Sequence, residues 1–415
     1  MAMVSILFYS ILIILILDFA FERYLALLNI RYSRQPLPAL ISDIYDTKAY
    51  ADQQQYFRTN SRFGMITSTF SFVLILGMFV FYGFGWVDHF LRQYTDNFIL
   101  LPLLFFGILF FLNDIISIPF ELYDTFVIEQ KFGFNKITPR LFMLDKLKGY
   151  ALGALIGGGL LTLVVWIFKV TPEYFWLWAW ASVSVFGLFM SMFYSELIVP
   201  LFNKQTPLND GDLRTEIEKF ANKTGFKLDN VYVIDGSKRS TKANAYFTGL
   251  GPKKRIVLYD TLMDKLSIEE IVAVLAHEIG HYKHKHTLKN MLISIPSSLL
   301  LFYVFGLILK SDTLAQALGG SIASFHLNAL AFSILYSPIS LVLDIFSNVL
   351  SRKFEYQADA FATKQGMGEF LQSGLKKLTS TSLGNLMPHP LFVFFHYSHP
   401  TLYQRIKQIN KQLIL

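Results

Sequence analysis

The chain has 415 residues, 53% of them hydrophobic and 16% charged, with a formal net charge of +7. Length alone would allow two or three soluble domains, but so apolar a balance excludes that organisation. The absence of cysteine excludes a disulfide framework and thiolate metal ligands, and no interleaving of basic and aromatic residues suggests a nucleic acid.

In chain order, seven apolar stretches are long enough, or nearly so, to cross a bilayer as helices: roughly 4–22, 66–86, 99–120, 150–169, 176–200, 290–310 and 326–350. The first has no Lys or Arg ahead of it and no small-residue cleavage pattern behind it, so it reads as a retained span rather than a secretory signal. Basic residues alternate between the connecting segments. Segments 23–65 and 121–148 hold six and five Lys/Arg, whereas 87–98, 169–175 and 310–325 hold one each. The long segments 201–289 and 351–415, with fifteen and eight, fall on the basic side. The positive-inside rule assigns that side to the cytosol and puts the N-terminus outside. The chain thus divides into spans one to five (1–200), an insert (201–289), spans six and seven (290–350) and a C-terminal segment (351–415).

The insert reads as a small α+β domain. PLNDGDLRTEIEKFANKTG predicts a turn and then an amphipathic helix with Leu213, Ile217 and Phe220 on one face and Gly225 as its stop. VYVID (231–235) and RIVLYD (255–260) are β-branched, strand-like runs. Between them, Tyr246 and Phe247 lead into a Gly-Leu-Gly-Pro turn at 249–252. Ser267 and Glu270 form a capping box, from which one helix is expected to run unbroken through the following histidines into span six.

HEIGHYKHKH (277–286) puts four histidines in ten residues. His277-Glu278-Ile-Gly-His281 is HExxH: residues four apart share a helical face, so two imidazoles converge on one ion while Glu278 stands beside them to handle a proton. His284 and His286 read as interfacial residues grouped with Lys283 and Lys285, although a ligand set of 277, 281 and 284 is geometrically conceivable. Catalytic sites of this kind usually draw the third ligand from elsewhere and keep one position open. The best candidate is Glu355 in FEYQADAF, just past span seven. Asp344, Asn348, Arg352, Glu355 and Asp359 fall on one helical face. A polar stripe that begins within a span should face protein or a water-filled cavity. Asp359 lies one turn beyond Glu355, where a carboxylate can hold the second nitrogen of a ligating histidine. At about 1.5 Å per residue, unbroken helices put His281 roughly 15 Å before Met291 and Glu355 roughly 8 Å beyond Leu350, on the same side of the bilayer.

Six blocks then occur in order: VIEQKFGFNKITPR (127–140), PLNDGDLR, VYVIDGSKRSTKANAYF, AHEIGHYKHKHT, FEYQADAFA and HYSHPTLYQRI (396–406). Together they resemble the type I CAAX prenyl proteases, integral-membrane zinc endopeptidases of the gluzincin type, along nearly the full length of the chain. The resemblance implies a mainly α polytopic fold, with seven helices around a water-filled chamber closed on the cytosolic side by the metalloprotease domain. It implies one Zn2+ on His277, His281 and Glu355, with Glu278 as general base. It also implies that Asn244, Ala245 and Tyr246 form an edge whose backbone pairs with the substrate. His399 would stabilise the oxyanion, and Arg405 would support the site or the substrate carboxylate. The expected partners are a lipid bilayer and a prenylated CAAX peptide, or peptides and damaged membrane proteins in a bacterium. The chain is shorter than typical eukaryotic members and ends in KQLIL, with no evident retrieval signal. A bacterial inner membrane is therefore expected, with the endoplasmic reticulum as the alternative. The other function class is a seven-span transporter or receptor, with Asp114, Glu196 and Asp344 lining a permeation path.

Overall fold

A computed structural model describes residues 2–226, 231–248 and 255–414; the turn expected at 249–252 lies outside them. Seven of its helices are long and apolar enough to cross a membrane: Ala2–Tyr32, Thr47–Val80, Leu100–Glu129, Pro139–Val170, Phe175–Phe202, His286–Ile308 and Phe325–Lys364. Most run well past the apolar stretches, because helix formation does not stop where hydrophobicity does. The second starts at an Asp46 cap that accepts from the Ala49 N–H, nineteen residues before the stretch at 66. It also ends earlier than expected, at Val80. Tyr82 adopts a left-handed φ of 54°, and a separate helix, Gly83–Arg92, turns back against residues 318–319. Gly85 makes this contact: its N–H donates to the Leu318 carbonyl at 2.9 Å, and a Cβ there would meet the Gly319 backbone at 2.3 Å.

The connections sort to two ends. At one end Arg92 bonds both Asp88 and the Ser324 hydroxyl, and His326 Nε2 lies 2.7 Å from Asp88 Oδ1. At the other, segments expected on the basic side join each other through Lys376–Asp43 at 2.8 Å, Arg239–Asp145 at 2.9 Å and Lys242–Glu129 at 2.8 Å. Four of the seven spans bury only 6% of their most apolar window. A close-packed bundle would bury a whole stripe of each helix, so these helices turn much of their surface to lipid or to open space.

The soluble domain is built on a four-stranded sheet: β1 (Gln205–Pro207), β2 (Val231–Ile234), β3 (Ala245–Thr248) and β4 (Arg255–Tyr259), in the order β1-β2-β4-β3. β2 runs parallel to β4, and β3 pairs antiparallel with β4 at the sheet's edge. Helix Asp212–Lys223 and the motif helix Ile268–Lys283 share a core with the sheet through Ile217, Phe220, Ile256, Leu258, Leu275 and Ile279. The capping box is present: Ser267 Oγ accepts from the Glu270 N–H, and Glu270 accepts from the Ser267 N–H at 2.8 Å. Glu270 also accepts from Ser373 and Lys377, which ties the helix start to Gly368–Thr381.

One expectation is overturned. The motif helix does not continue into span six but stops at His284, and Lys285, with φ 56°, starts a new helix at His286. The height worked out for His281 along a single straight helix therefore does not apply.

Candidate active site

The motif helix lies across the seventh membrane helix at Gly280. A Cβ at that position would fall 2.9 Å from Ala358 Cα and 3.0 Å from its carbonyl oxygen, so only glycine permits this approach. The crossing brings His277 and His281 onto Glu355. His277 Nε2 lies 3.1 Å from His281 Nε2 and 3.4 Å from Glu355 Oε2, and His281 Nε2 lies 3.2 Å from Glu355 Oε1. Ligand atoms about 2.0–2.1 Å from a tetrahedral ion are about 3.3 Å from one another, so the three donors fit one ion. Glu355 Oε2 is buried without a hydrogen-bond partner, as an oxygen reserved for a metal would be. Among the described residues this is the group of three side chains suited to hold a metal.

Behind the donors lies a buried support. His277 Nδ1 is 2.8 Å from Asp359 Oδ1, so the second-nitrogen partner expected from spacing is in place. Burial and the Arg405 guanidinium lower the His277 pKa, but the hydrogen bond with Asp359 and the neighbouring Glu355 carboxylate outweigh them and raise it to about 9. Without an ion these groups therefore retain a proton, which metal binding must displace. Of the two places expected for Arg405, its contacts are those of a support for the site. It donates to both Asp359 oxygens, at 2.9 and 2.6 Å, and sits 3.6 Å from Glu355 Oε2. Although it borders the cavity, its guanidinium is committed to holding the metal-side carboxylates. His286 also departs from the interfacial role. It is buried, with Nδ1 3.0 Å from His281 Nδ1 and Nε2 2.8 Å from Gln357 Oε1. His281 thus has a partner for its second nitrogen as His277 does. That residue was missed because the break at Lys285 turns His286 back toward the site. His284 stays exposed, with its ring stacked on that of His286.

A cavity of about 650 Å³ opens onto this centre, lined by Ala243, Asn244, Ala245, Glu278 and His399 as well as the donors. His399 Nε2 lies 3.4 Å from Glu355 Oε1, and its Nδ1 is 2.9 Å from the Ser398 hydroxyl. Asn244 and Ala245 border the cavity, whereas the Tyr246 ring turns away, its hydroxyl 3.2 Å from Gln205 Nε2 and 3.4 Å from Ser195 Oγ. Tyr246 is thus not part of the cavity lining. The polar stripe of the seventh helix is also more than a wet face. Asn348 donates to the Phe395 carbonyl at 2.8 Å, and Arg352 to those of Val393 and Tyr397 at 3.2 and 2.5 Å. These bonds grip the end of helix Pro390–His396 and hold the segment that leads to His399.

Two of the three carboxylates considered for a permeation path are otherwise engaged: Asp114 with Lys146 and Tyr150, and Glu196 with Arg255. Residues 26–204 match the family described as CAAX prenyl protease N-terminal, five membrane helices, and residues 207–413 match peptidase family M48. The chain is 36% identical to the probable CAAX prenyl protease 1 of Schizosaccharomyces pombe, over 94% of this chain and 86% of that one. It is 33% identical to the CAAX prenyl protease 1 of Saccharomyces cerevisiae, over 95% and 93%. The crystal structure of S. mikatae Ste24p superposes with a TM-score of 0.92 at 33% identity, covering 97% of this chain and 99% of the other. A transporter or receptor is not favoured, and the chain belongs to peptidase family M48 as a multi-pass membrane metalloendopeptidase of the CAAX prenyl protease type.

Proposed function

We propose that the chain binds one zinc ion through His277, His281 and Glu355 and cleaves a peptide laid along residues 244–246 as an added strand. The spacing of the three donor atoms, 3.1–3.4 Å, carries this reading. The ion, when bound, supplies Lewis-acid polarisation and makes water a stronger acid. Every other part belongs to side chains. Asp359 accepts the Nδ1 proton of His277, which leaves the Nε2 lone pair toward the ion. Glu278, in the same cavity, takes the proton of the attacking water and delivers it to the leaving amine. His399 donates Nε2–H to the carbonyl oxygen as charge develops there. At the sheet edge Ala245, whose main chain points away from β4, meets an extended peptide through main-chain hydrogen bonds, with Asn244 beside it.

The names of the relatives favour a prenylated C-terminal peptide as substrate; processing of other membrane-associated peptides uses the same chemistry. The basic segments favour a cytosolic catalytic face. The eukaryotic relatives favour the endoplasmic reticulum, with a bacterial inner membrane as the alternative. The test joins metal analysis to hydrolysis of farnesylated and unfarnesylated versions of one peptide. One zinc per chain and chelator-sensitive cleavage are expected, with the farnesylated peptide preferred. Full peptidase activity in purified Glu278→Gln protein would end the mechanism, and equal cleavage of both peptides would end the prenyl assignment.

A further inference from the structure

The block VIEQKFGFNKITPR has no part in the chemistry above. It forms the junction between the third and fourth membrane helices and runs beside residues 239–242, immediately ahead of the edge at 244–246. Main-chain bonds join the two segments: Lys136 N–H to the Arg239 carbonyl at 3.0 Å, and Thr241 N–H to the Phe134 carbonyl at 3.1 Å. Asn135 and Ser240 form an isolated antiparallel bridge between them.

Side chains complete the junction at Lys242. Its ammonium lies 2.8 Å from Glu129 Oε2 and 2.8 Å from the Tyr56 hydroxyl, and 4.5 Å from the centre of the Phe134 ring. Tyr56 in turn donates to Glu129 Oε1 at 2.5 Å. Glu129 closes a π-helical turn, Asp124–Glu129, at the end of the third span, the kind of irregularity that gathers at functional places. An isolated exposed ion pair contributes little. This one is a half-buried network of a carboxylate, a phenol and an aromatic face, which holds a lysine far more narrowly. It also joins the second helix, the third helix and the soluble domain through one ammonium group.

β3 is bonded to β4 on one side only, and its outer side has no partner strand among the described residues. Its reach toward the metal donors therefore depends on what anchors the chain ahead of it. We propose that Lys242, held by Glu129 and Tyr56, is a positioning residue that sets the substrate-pairing edge at the right distance from His277, His281 and Glu355. The inference rests on the reading that residues 244–246 pair with the peptide.

The test uses full-length, zinc-loaded protein in detergent, one peptide substrate, and the same peptide N-methylated at a backbone amide near the cleaved bond. Lys242→Met should raise KM on the order of tenfold and leave kcat within about twofold, since uniform binding is lost and not chemistry. Metal stoichiometry should not change. The exchange Lys242→Glu with Glu129→Lys should recover most of the loss, and the wild-type penalty for N-methylation should shrink in Lys242→Met. An unchanged KM, a fall in kcat accompanied by loss of zinc, or an exchange variant no better than Lys242→Met would each overturn the proposal. A wild type indifferent to N-methylation would instead remove the strand-pairing reading, and the proposal with it.

Discussion

Replacing Asp359 with alanine tests whether the buried carboxylate serves the metal, the fold or both. Asp359 is fully buried and accepts three hydrogen bonds, from His277 at 2.8 Å and from Arg405 at 2.9 and 2.6 Å. Loss of a partner that orients a metal-binding histidine typically costs 10–100-fold in metal affinity, about 1.4–2.7 kcal/mol. The stability cost should be larger. Arg405, with 11% of its side chain exposed, keeps Glu355, 3.6 Å away, and the field of Glu278 as counter-charges. Removing one member of a buried ion pair costs about 3–5 kcal/mol, and the remaining carboxylates place the expected loss near the lower figure. Two measurements separate the effects: chelator competition for zinc, and thermal unfolding of the metal-free protein in detergent. The double variant Asp359→Leu/Arg405→Met should regain most of the stability and none of the affinity, because it removes the orphaned charge but not the need for an acceptor at His277. Zinc affinity in Asp359→Ala within twofold of wild type would refute the reasoning, as would affinity restored by the double variant.

Glu278→Gln should retain one zinc per chain and lose about 10²–10⁴ in hydrolysis, read from metal content and turnover on the same sample. Gly280→Val should cost about 1–3 kcal/mol through overpacking against Ala358; it should also weaken zinc binding, since the crossing it forces apart carries all three donors. At the start of the motif helix, burial pushes the Glu270 pKa up, but Lys377, Ser373 and the Ser267 N–H outweigh it and hold it below its ordinary 4.5. Its stabilisation is therefore complete above that ordinary value and lost as pH falls through the lower, folded value. Glu270→Gln should thus be less stable than wild type by about 1–3 kcal/mol at pH 7, and the gap in melting temperature should close in acid.

Where local chemistry decided the outcome, the sequence was enough. Seven apolar stretches became seven spans, Ser267 and Glu270 capped their helix, and helical spacing correctly set Glu355 and Asp359 on one face with the histidines in reach. What escaped depended on contacts made far along the chain. Lys285 turns left-handed without the glycine or asparagine that usually announces such a turn, so the break before His286 left no mark. Arg352 reads as one member of a wet stripe until residues 393–397, some forty positions on, come to rest on it. Arg405 reads equally as a support of the site or a substrate contact, because its partner Asp359 lies 46 residues earlier. β1 is three residues long and contains a proline, too little for any alternation to be read.

The seventh helix runs forty residues, Phe325–Lys364, and stays helical through Pro338. At about 1.5 Å per residue it is roughly 60 Å long, twice the hydrocarbon thickness of a bilayer, about 30 Å. The rod anchored in lipid is thus the same object that carries Glu355, while His277 and His281 ride on the soluble sheet's own helix. Membrane thickness sets how far such a rod tilts. Tilting it against the soluble sheet would strain the Gly280–Ala358 crossing and the His277–Asp359 bond that hold the donors together, so bilayer thickness is expected to act on the metal site. Reconstitution in lipids of graded chain length should then shift zinc affinity while the protein's composition stays the same.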